Sequence, residues 1–237
     1  MEHRRDQDAF EELAAALCDD EALRAYKEPY DNYHISFVPR MLGKFLVSAG
    51  NVVYGHAPTY LKFRAIEVIA RVPYHSWESA MFTLLTFFYT KEEKAIDLSN
   101  LSRFARLAKD NETMHVVVIS HLAKEAGKAG FIRHTFIPLL FAFFYFWWSY
   151  ILYFINPRYS FELNYIFEQH AFDSYSEFLK LHEEKLKDRR VSSEFLEWYG
   201  RYPRNQYEFF CMVRNDEIIH RNSSIHEILE MEEMRGE

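Results

Sequence analysis

Two short motifs, each with a glutamate three residues before a histidine, limit most strongly which folds this chain can adopt. The first is NETMH over residues 111–115, and the second is EIIH over residues 217–220. Residues three apart lie one turn apart on the same face of a helix, so each pair can direct a carboxylate oxygen and an imidazole nitrogen toward one point. Such a point is typical of a metal site. The alternative is ordinary surface or core placement, since a glutamate-rich chain contains such pairs by chance.

Two further glutamates interrupt otherwise apolar helical segments. Glu67 lies in RAIEVIARVPY and Glu168 lies in YIFEQHAFDSY. An unpaired carboxylate is costly to bury in such a segment. Four-helix bundles that bind two metals use one Glu from each of two helices and a Glu-x-x-His from each of the other two. Carboxylate-rich sets of this kind favour iron or manganese over zinc. The paired motifs supply the remainder of the set: Glu112, His115, Glu217 and His220.

Helical periodicity runs through nearly the whole chain, and strand alternation bounded by turn residues is hard to find. We therefore expect an all-α protein, with an N-terminal helix and arm over residues 1–34 and a single domain over 35–230. The helix in the first segment is expected from about residue 9 to residue 26. Bundle helices are expected over 58–90, 97–126, 159–187 and 205–230, and two further apolar helices over 35–57 and 132–156.

Residues 135–156, TFIPLLFAFFYFWWSYILYFIN, form a run of 22 residues without a charge, which is long enough to span a membrane. Its aromatic residues run through the middle and do not cluster at the ends. A spanning helix would also separate the acids before and after it, which conflicts with a shared metal site. We therefore expect a helix lying in one leaflet. Residues 37–53, with Arg40 and Lys44 on one face, resemble a second interfacial helix, and a plain core helix is the alternative.

Composition excludes some classes of function. The formal net charge of −7 argues against a nucleic-acid partner, which would need a basic face. Cys18 and Cys211 are too few for a disulfide framework or a cysteine-ligated metal, and they fit a reducing compartment. The N-terminal segment shows no cleavable targeting sequence.

At four motifs the chain resembles the alternative oxidase family of di-iron quinol oxidases, and within it the plastid terminal oxidases. The motifs are RAIEVIARVPY (64–74), DNETMH (110–115), FEQHAFDSY (167–175) and RNDEIIH (214–220). The resemblance covers roughly residues 61–224. It implies a ferritin-like four-helix bundle holding two Fe ions, with additional apolar helices forming a monotopic membrane-binding face.

The resemblance also implies an activity. A quinol, either ubiquinol or plastoquinol, would be oxidised, and O₂ would be reduced to water without proton pumping. The protein would be associated with a bacterial cytoplasmic membrane or with an organellar inner or thylakoid membrane, and a homodimer is expected as one possible assembly. The segment Phe-Glu-Gln-His departs from the Leu-Glu-Glu-Glu of many relatives, which leaves Glu168 in place but changes its neighbours in the quinone pocket.

Individual roles follow from the same resemblance. Tyr175 would donate an electron during O–O cleavage, and its alternative is a buried aromatic with a satisfied hydroxyl. Asp216 and Asn111 would orient the neighbouring ligands. The metal ligands would be Glu67, Glu112, His115, Glu168, Glu217 and His220. The quinone pocket would lie near Ile66, with Lys62 or Arg64 as its cation and Ser174 as a polar contact.

The residues alone leave three other functions open. A ferritin-like di-iron desaturase or hydroxylase acting on a lipid would share the bundle and the apolar surface. A membrane-anchored iron-binding or storage protein would bind iron without turnover. A helical transmembrane scaffold would bind no metal. Manganese is an alternative to iron because the ligands of the two metals are nearly the same.

Overall fold

The computed structural model describes residues 2–235; Met1, the first residue of the predicted N-terminal segment, lies outside the described residues, as do residues 236–237. Within that range every regular element is helical, so the predicted all-α class is confirmed. The helices are α1 (Glu2–Ala16), α2 (Asp20–Asp31), α3 (Phe37–Tyr54), α4 (Tyr60–Ala70), α5 (Val72–Phe88), α6 (Glu92–Ala126), α7 (Ile137–Ile155), α8 (Pro157–Lys187), α9 (Glu194–Tyr199) and α10 (Gln206–Arg235). A π-helical turn over Ile132–Phe136 leads into α7.

A four-helix bundle forms the centre of the molecule, as expected for a ferritin-like fold. Its four members are α4 continued by α5, then α6, α8 and α10, and α8 packs along α10 while α6 packs along α4 and α5. Apolar side chains fill both ends of the bundle. One cluster surrounds Phe63, Met114 and Phe210, and the other surrounds Trp77 and Phe161. Each fully buried aromatic or aliphatic side chain stabilises the fold by about 1.5–3 kcal/mol. The middle of each helix, between the two clusters, carries the predicted acids and histidines.

The first bundle helix is interrupted, whereas a single helix over 58–90 was expected. It divides at Arg71, between α4 and α5. Pro73 has no amide hydrogen, so it cannot donate to the carbonyl of Ile69, and that carbonyl accepts the Arg71 N–H instead. Pro73 is tolerated because it stands in the first turn of α5, where its missing hydrogen bond costs little. The break lies just beyond Glu67.

The N-terminal segment also contains two helices where one was expected over about 9–26. The chain leaves α1 after Ala16, and Asp19 then caps α2 by accepting hydrogen bonds from the amides of Glu21 and Ala22, at 3.1 and 2.9 Å. Both helices pack against α10. Between α8 and α10, in the connection between the third and fourth expected bundle helices, lies the short helix α9.

Helices α3 and α7 pack against the bundle on one side and expose apolar side chains on the other. Tyr145, Ser149 and Tyr153 of α7 face inward and are buried. The helix Ile132–Ile155 is long and apolar enough to cross a membrane by length and composition, and 17% of its most apolar stretch is buried. Exposed apolar residues on the two helices include Phe37, Met41, Phe45, Leu139, Phe143, Phe144, Trp147, Trp148 and Ile151.

Helix α3 lies close against α8 at a glycine. A Cβ atom added at Gly43 would lie 2.8 Å from Cδ1 of Ile166, which is closer than two carbon atoms can approach without strain. The absence of a side chain at Gly43 therefore allows the close packing of α3 on the bundle.

Candidate metal centre

The middle of the bundle holds six acidic and imidazole side chains, each from a helix segment that the sequence predicted to carry it. All six are at most 2% exposed. They form two overlapping groups, and within each group one ligand atom from every residue lies within 4.8 Å of the others. The first group is Glu67, Glu112, His115 and Glu217; the second is Glu112, Glu168, Glu217 and His220. Glu112 and Glu217 belong to both groups, so each has the position of a ligand that two metals share.

Many of the nitrogen and oxygen atoms in this centre have no hydrogen-bond partner among the described residues. Nδ1 of His115 lies 3.5 Å from a carboxylate oxygen of each of Glu67, Glu112 and Glu217. Nδ1 of His220 comes within 2.9 Å of Glu112 Oε1, yet neither atom has hydrogen-bond geometry with the other. Among the described residues, neither oxygen of Glu112 nor of Glu217 has a hydrogen-bond donor. Buried acceptors are normally paired, so a cluster of unpaired ones fits coordination to cations.

The pKa values of the clustered carboxyl groups also fit the binding of cations. Burial raises the pKa of Glu67 to about 7. Burial and the charge of Glu112 raise the pKa of Glu217 well above its usual range. Burial opposes ionisation of Glu112 as well, but the neighbouring His115 holds the pKa of Glu112 below its usual range. Carboxylates this close cannot all ionise without a counter-charge, and two divalent cations would supply one.

Asp216 and Asn111, which were predicted to orient neighbouring ligands, lie beside the imidazole nitrogen of His115 that does not face the three glutamates. Asp216 Oδ2 lies 2.8 Å from Nε2 of His115 and accepts a hydrogen bond of 3.1 Å from Nδ2 of Asn111. With Nε2–H donating to Asp216, Nδ1 of His115 is the nitrogen left to bind a metal, and it faces the three glutamates. Both side chains are fully buried, which keeps this orientation fixed.

Glu168 is held by residues that received no role from the sequence. Its Oε1 accepts hydrogen bonds from the hydroxyl of Tyr74, at 2.7 Å, and from Nδ2 of Asn164, at 3.1 Å. Asn164 also donates to Ser224 Oγ at 3.1 Å. A sequence signal existed for two of these residues. Asn164 precedes Glu168 by four positions and so shares its helix face, and Tyr74 ends the first motif.

Tyr175 lies beside Glu67 and is buried. Its hydroxyl donates a hydrogen bond to Glu67 Oε1. Its ring stacks on Phe63, with ring centroids 4.2 Å apart and planes inclined by 19°. Burial and the charge of Glu67 raise the pKa of Tyr175 well above its usual range, so the phenol stays protonated.

An apolar cavity of about 170 Å³ leads from α3 and α7 to the cluster, and its walls include Glu67, Glu168 and Tyr175. Three of the four predicted pocket residues, Ile66, Lys62 and Ser174, line it. Arg64 does not, because its side chain turns toward the π-helical turn, where Nη2 lies 3.4 Å from Thr135 Oγ1.

Lys62 does not offer a free cation to the cavity. Its ammonium donates to Asn51 Oδ1 at 3.0 Å and to the carbonyls of Gly55 and His56 at 2.9 and 3.1 Å. All three of its hydrogens are therefore used where α3 ends. Ser174 likewise donates to the carbonyl of His170, at 2.8 Å, within its own helix.

Arg201 and Glu11 were not expected at the site at all. Arg201, 1% exposed, pairs with Asp216 on one side and with Glu11 on the other. Arg201 lies in the connection between α9 and α10, after Gly200, whose φ of +96° suits glycine. No periodicity marks either residue, because the contacts join three separate parts of the chain.

Comparison with known proteins gives two findings. Residues 27–228 match the protein family described as alternative oxidase. The chain is 25% identical over 182 residues to ubiquinol oxidase 4, chloroplastic/chromoplastic, of Arabidopsis thaliana, and the match covers 68% of this chain and 49% of that protein. The chain thus spans about half the length of that curated relative. No solved structure gives a significant match.

Proposed function

Because this chain belongs to the alternative oxidase family, we propose that it is a membrane-associated quinol oxidase with a di-iron centre. In this proposal it oxidises ubiquinol or plastoquinol and reduces O₂ to water without pumping protons. The observation that carries the proposal is an apolar cavity that begins at two outward-facing apolar helices and reaches Glu67 and Glu168, two members of the buried cluster of carboxylates and imidazoles. The relative from Arabidopsis is named a ubiquinol oxidase, which supports the substrate class.

The six predicted ligands would hold two irons. Glu67 and His115 would bind the first, Glu168 and His220 the second, and Glu112 and Glu217 would bind both. Four carboxylates and two imidazoles match the donor set of di-iron carboxylate bundles. Bound there, the irons would supply the one-electron redox steps that the reduction of O₂ requires.

The reaction balances when two quinols are oxidised for each O₂. Two quinols release four electrons and four protons, and O₂ takes up all of them to form two waters. The protons come from the quinol hydroxyls and stay with the product, so no proton needs to cross the membrane. The protein has to bind the quinol beside Glu67 and Tyr175 and to exclude other reductants.

The cavity suits a quinone ring better than a charged substrate. Ile66 and Phe141 contribute apolar walls, and the ammonium of Lys62 is already saturated with hydrogen bonds. Tyr175 presents a protonated hydroxyl bound to Glu67 at the inner end. In this role Tyr175 would donate an electron during O–O cleavage, and Glu67 would accept the phenolic proton along the same hydrogen bond.

The outward faces of α3 and α7 would lie in one leaflet. A monotopic arrangement keeps the cavity mouth at the acyl chains, from which a long-tailed quinol enters. The sequence from residue 33 to residue 66 contains four Lys or Arg and no Asp or Glu, and Arg40 and Lys44 of α3 would meet head-group phosphates. We assign residues 35–230 to one oxidase domain within this proposal. A homodimer through an exposed apolar face belongs to the same proposal, and light scattering in detergent tests it.

Oxygen uptake by the purified protein with a short-chain quinol tests the function, run beside a metal count. We expect cyanide-insensitive, quinol-dependent uptake with about two irons per chain. Glu168→Gln should abolish uptake, and Glu125→Gln, an exposed change on α6, should not. Two irons without quinol-driven uptake would refute the oxidase and favour a lipid-modifying oxygenase. Many irons per chain, with slow ferroxidation, would favour iron storage.

A further inference from the structure

Helix α1 precedes the family-matched segment 27–228, yet it covers the metal centre from the α10 side. The Phe10 ring packs on His220, with centroids 5.7 Å apart. Nδ2 of Asn215 donates to the carbonyl of Ala14 at 2.8 Å. Both partners lie on α10, the helix that carries Glu217 and His220. The position of α1 is therefore tied to that of two predicted ligands.

A single arginine connects α1 to the opposite side of the site. Nε and Nη2 of Arg201 each lie 2.8 Å from an oxygen of Glu11. Nη1 and Nη2 lie 2.5 and 3.0 Å from the two oxygens of Asp216. Arg201 thus makes a bidentate pair with each carboxylate and has no exposure to solvent that would compensate for losing one.

Asp216 passes this constraint to a ligand. The oxygen that Arg201 Nη1 contacts, Oδ2, also lies 2.8 Å from Nε2 of His115. An unbroken series of contacts therefore runs from Glu11 on α1 through Arg201 and Asp216 to His115. The partner that holds a ligand imidazole sets both its orientation and its basicity.

We propose that α1 is a cap that retains the metals, and that Glu11 is a positioning residue for His115. Glu11 balances one side of the Arg201 guanidinium. Without its charge, Arg201 would interact with Asp216 alone, withdraw electron density from the Asp216–His115 hydrogen bond and weaken the imidazole as a ligand. This inference rests on the proposed di-iron site, but no step of quinol oxidation depends on it.

The test is the rate at which iron leaves the purified full-length protein for a ferrous chelator. Glu11→Gln removes the charge and keeps an oxygen that can accept from Arg201. Glu12→Gln makes the same change at the exposed neighbouring residue. Gln7→Ala removes a different anchor of α1, the 2.9 Å hydrogen bond from Gln7 Nε2 to the Tyr199 carbonyl. Unfolding temperatures of the iron-free proteins report the docking of α1 separately.

We expect Glu11→Gln to release iron about 10-fold faster, the lower end of the range for partners that hold a metal ligand. Glu12→Gln and Gln7→Ala should stay close to the parent, and Glu11→Asp, which keeps the charge, should lie nearer to the parent than Glu11→Gln. If Glu11→Gln does not fold, E11Q/R201M is measured in its place. It removes the guanidinium that would draw on Asp216, so iron should leave it at close to the rate of the parent, and release about 10-fold faster would overturn the inference.

Unchanged release from Glu11→Gln would overturn the inference. So would equally fast release from Gln7→Ala, because α1 would then act only by covering the site. A parent protein that binds no iron would instead reject the proposed metal centre itself, so the two failures are distinguishable.

Discussion

On the His115 side of the site the outer imidazole nitrogen lies 2.8 Å from Asp216, whereas on the His220 side the corresponding nitrogen has no hydrogen-bond partner in the described part of the chain. His220 lies instead against two rings, with centroids 5.7 Å away for Phe10 and 5.3 Å away for Tyr74. One imidazole is oriented by charge and hydrogen bonds, and the other by packing.

In the proposed di-iron site, this difference would make the two metal positions unequal. An imidazole that donates to a buried carboxylate is held in one tautomer and is the more basic ligand. An imidazole held by rings keeps its orientation only while those rings stay packed. We therefore expect the iron near His115 to be bound more tightly than the iron near His220, although the two share Glu112 and Glu217.

The largest loss of iron is expected from substituting a residue that belongs to both groups of predicted ligands. Glu112→Gln removes a charge from both groups, so iron content should fall from about two per chain to near zero. Glu125→Gln on the same helix is exposed and should retain both irons. Elemental analysis of the purified proteins measures this. Retention of one iron by Glu112→Gln would show that Glu112 serves a single position.

The next largest loss of iron affinity is expected from a substitution on the His115 side. Asp216→Asn removes the charge that His115 and Arg201 both contact, and iron affinity should fall about 10–100-fold. A competition titration against a chelator measures the affinity, with the exposed Asp188→Asn as the control. Selective loss of the iron near His220 would reverse the assignment of the tighter position.

A smaller loss of iron affinity is expected from a substitution on the His220 side. Tyr74→Phe removes the 2.7 Å hydrogen bond to Glu168 and leaves the donor of Asn164 in place. Iron affinity should fall about threefold, since one of two donors to the carboxylate remains. The same titration applies, and Tyr89→Phe, an exposed change, is its control. A loss as large as that of Asp216→Asn would remove the distinction between the two sides.

The smallest expected change is in the melting temperature of the iron-free protein, which should depend on pH. Glu67 has a folded-state pKa raised to about 7 from 4.5 by burial, so the folded state binds this proton more tightly than the unfolded state does. The resulting stability is fully present below pH 4.5 and is lost as the pH rises through 7. The melting temperature should therefore be about 2–4 °C lower at pH 8 than at pH 6. Iron loading should remove the difference, and a rise toward pH 8 would contradict it.

The six clustered side chains were predictable because local patterns mark them. Glu67 and Glu168 are acids in apolar helical segments, and the other four form two spaced pairs. Asp216 and Asn111 followed because they adjoin ligands in the sequence. The four-helix bundle was predictable from the helical periodicity of the sequence, which placed these residues in four long helices.

Features that depend on contacts between distant segments were not predictable. Arg201 meets Glu11 and Asp216 only after three parts of the chain pack together. The ammonium of Lys62 is occupied by the end of α3, and Arg64 turns away from the cavity; both outcomes depend on how α3 and the π-helical turn pack on α4. Pro73 was visible in the sequence, but a proline in a first helical turn and one inside a helix look alike without the structure.

The Mössbauer spectrum of the iron-loaded, oxidised protein tests the central claim most directly. Two irons that share Glu112 and Glu217 should be magnetically coupled, and unequal surroundings at His115 and His220 should give two resolved iron environments with a diamagnetic ground state. A single iron per chain, or two irons that behave as isolated paramagnetic ions, would contradict the shared site on which the whole account depends.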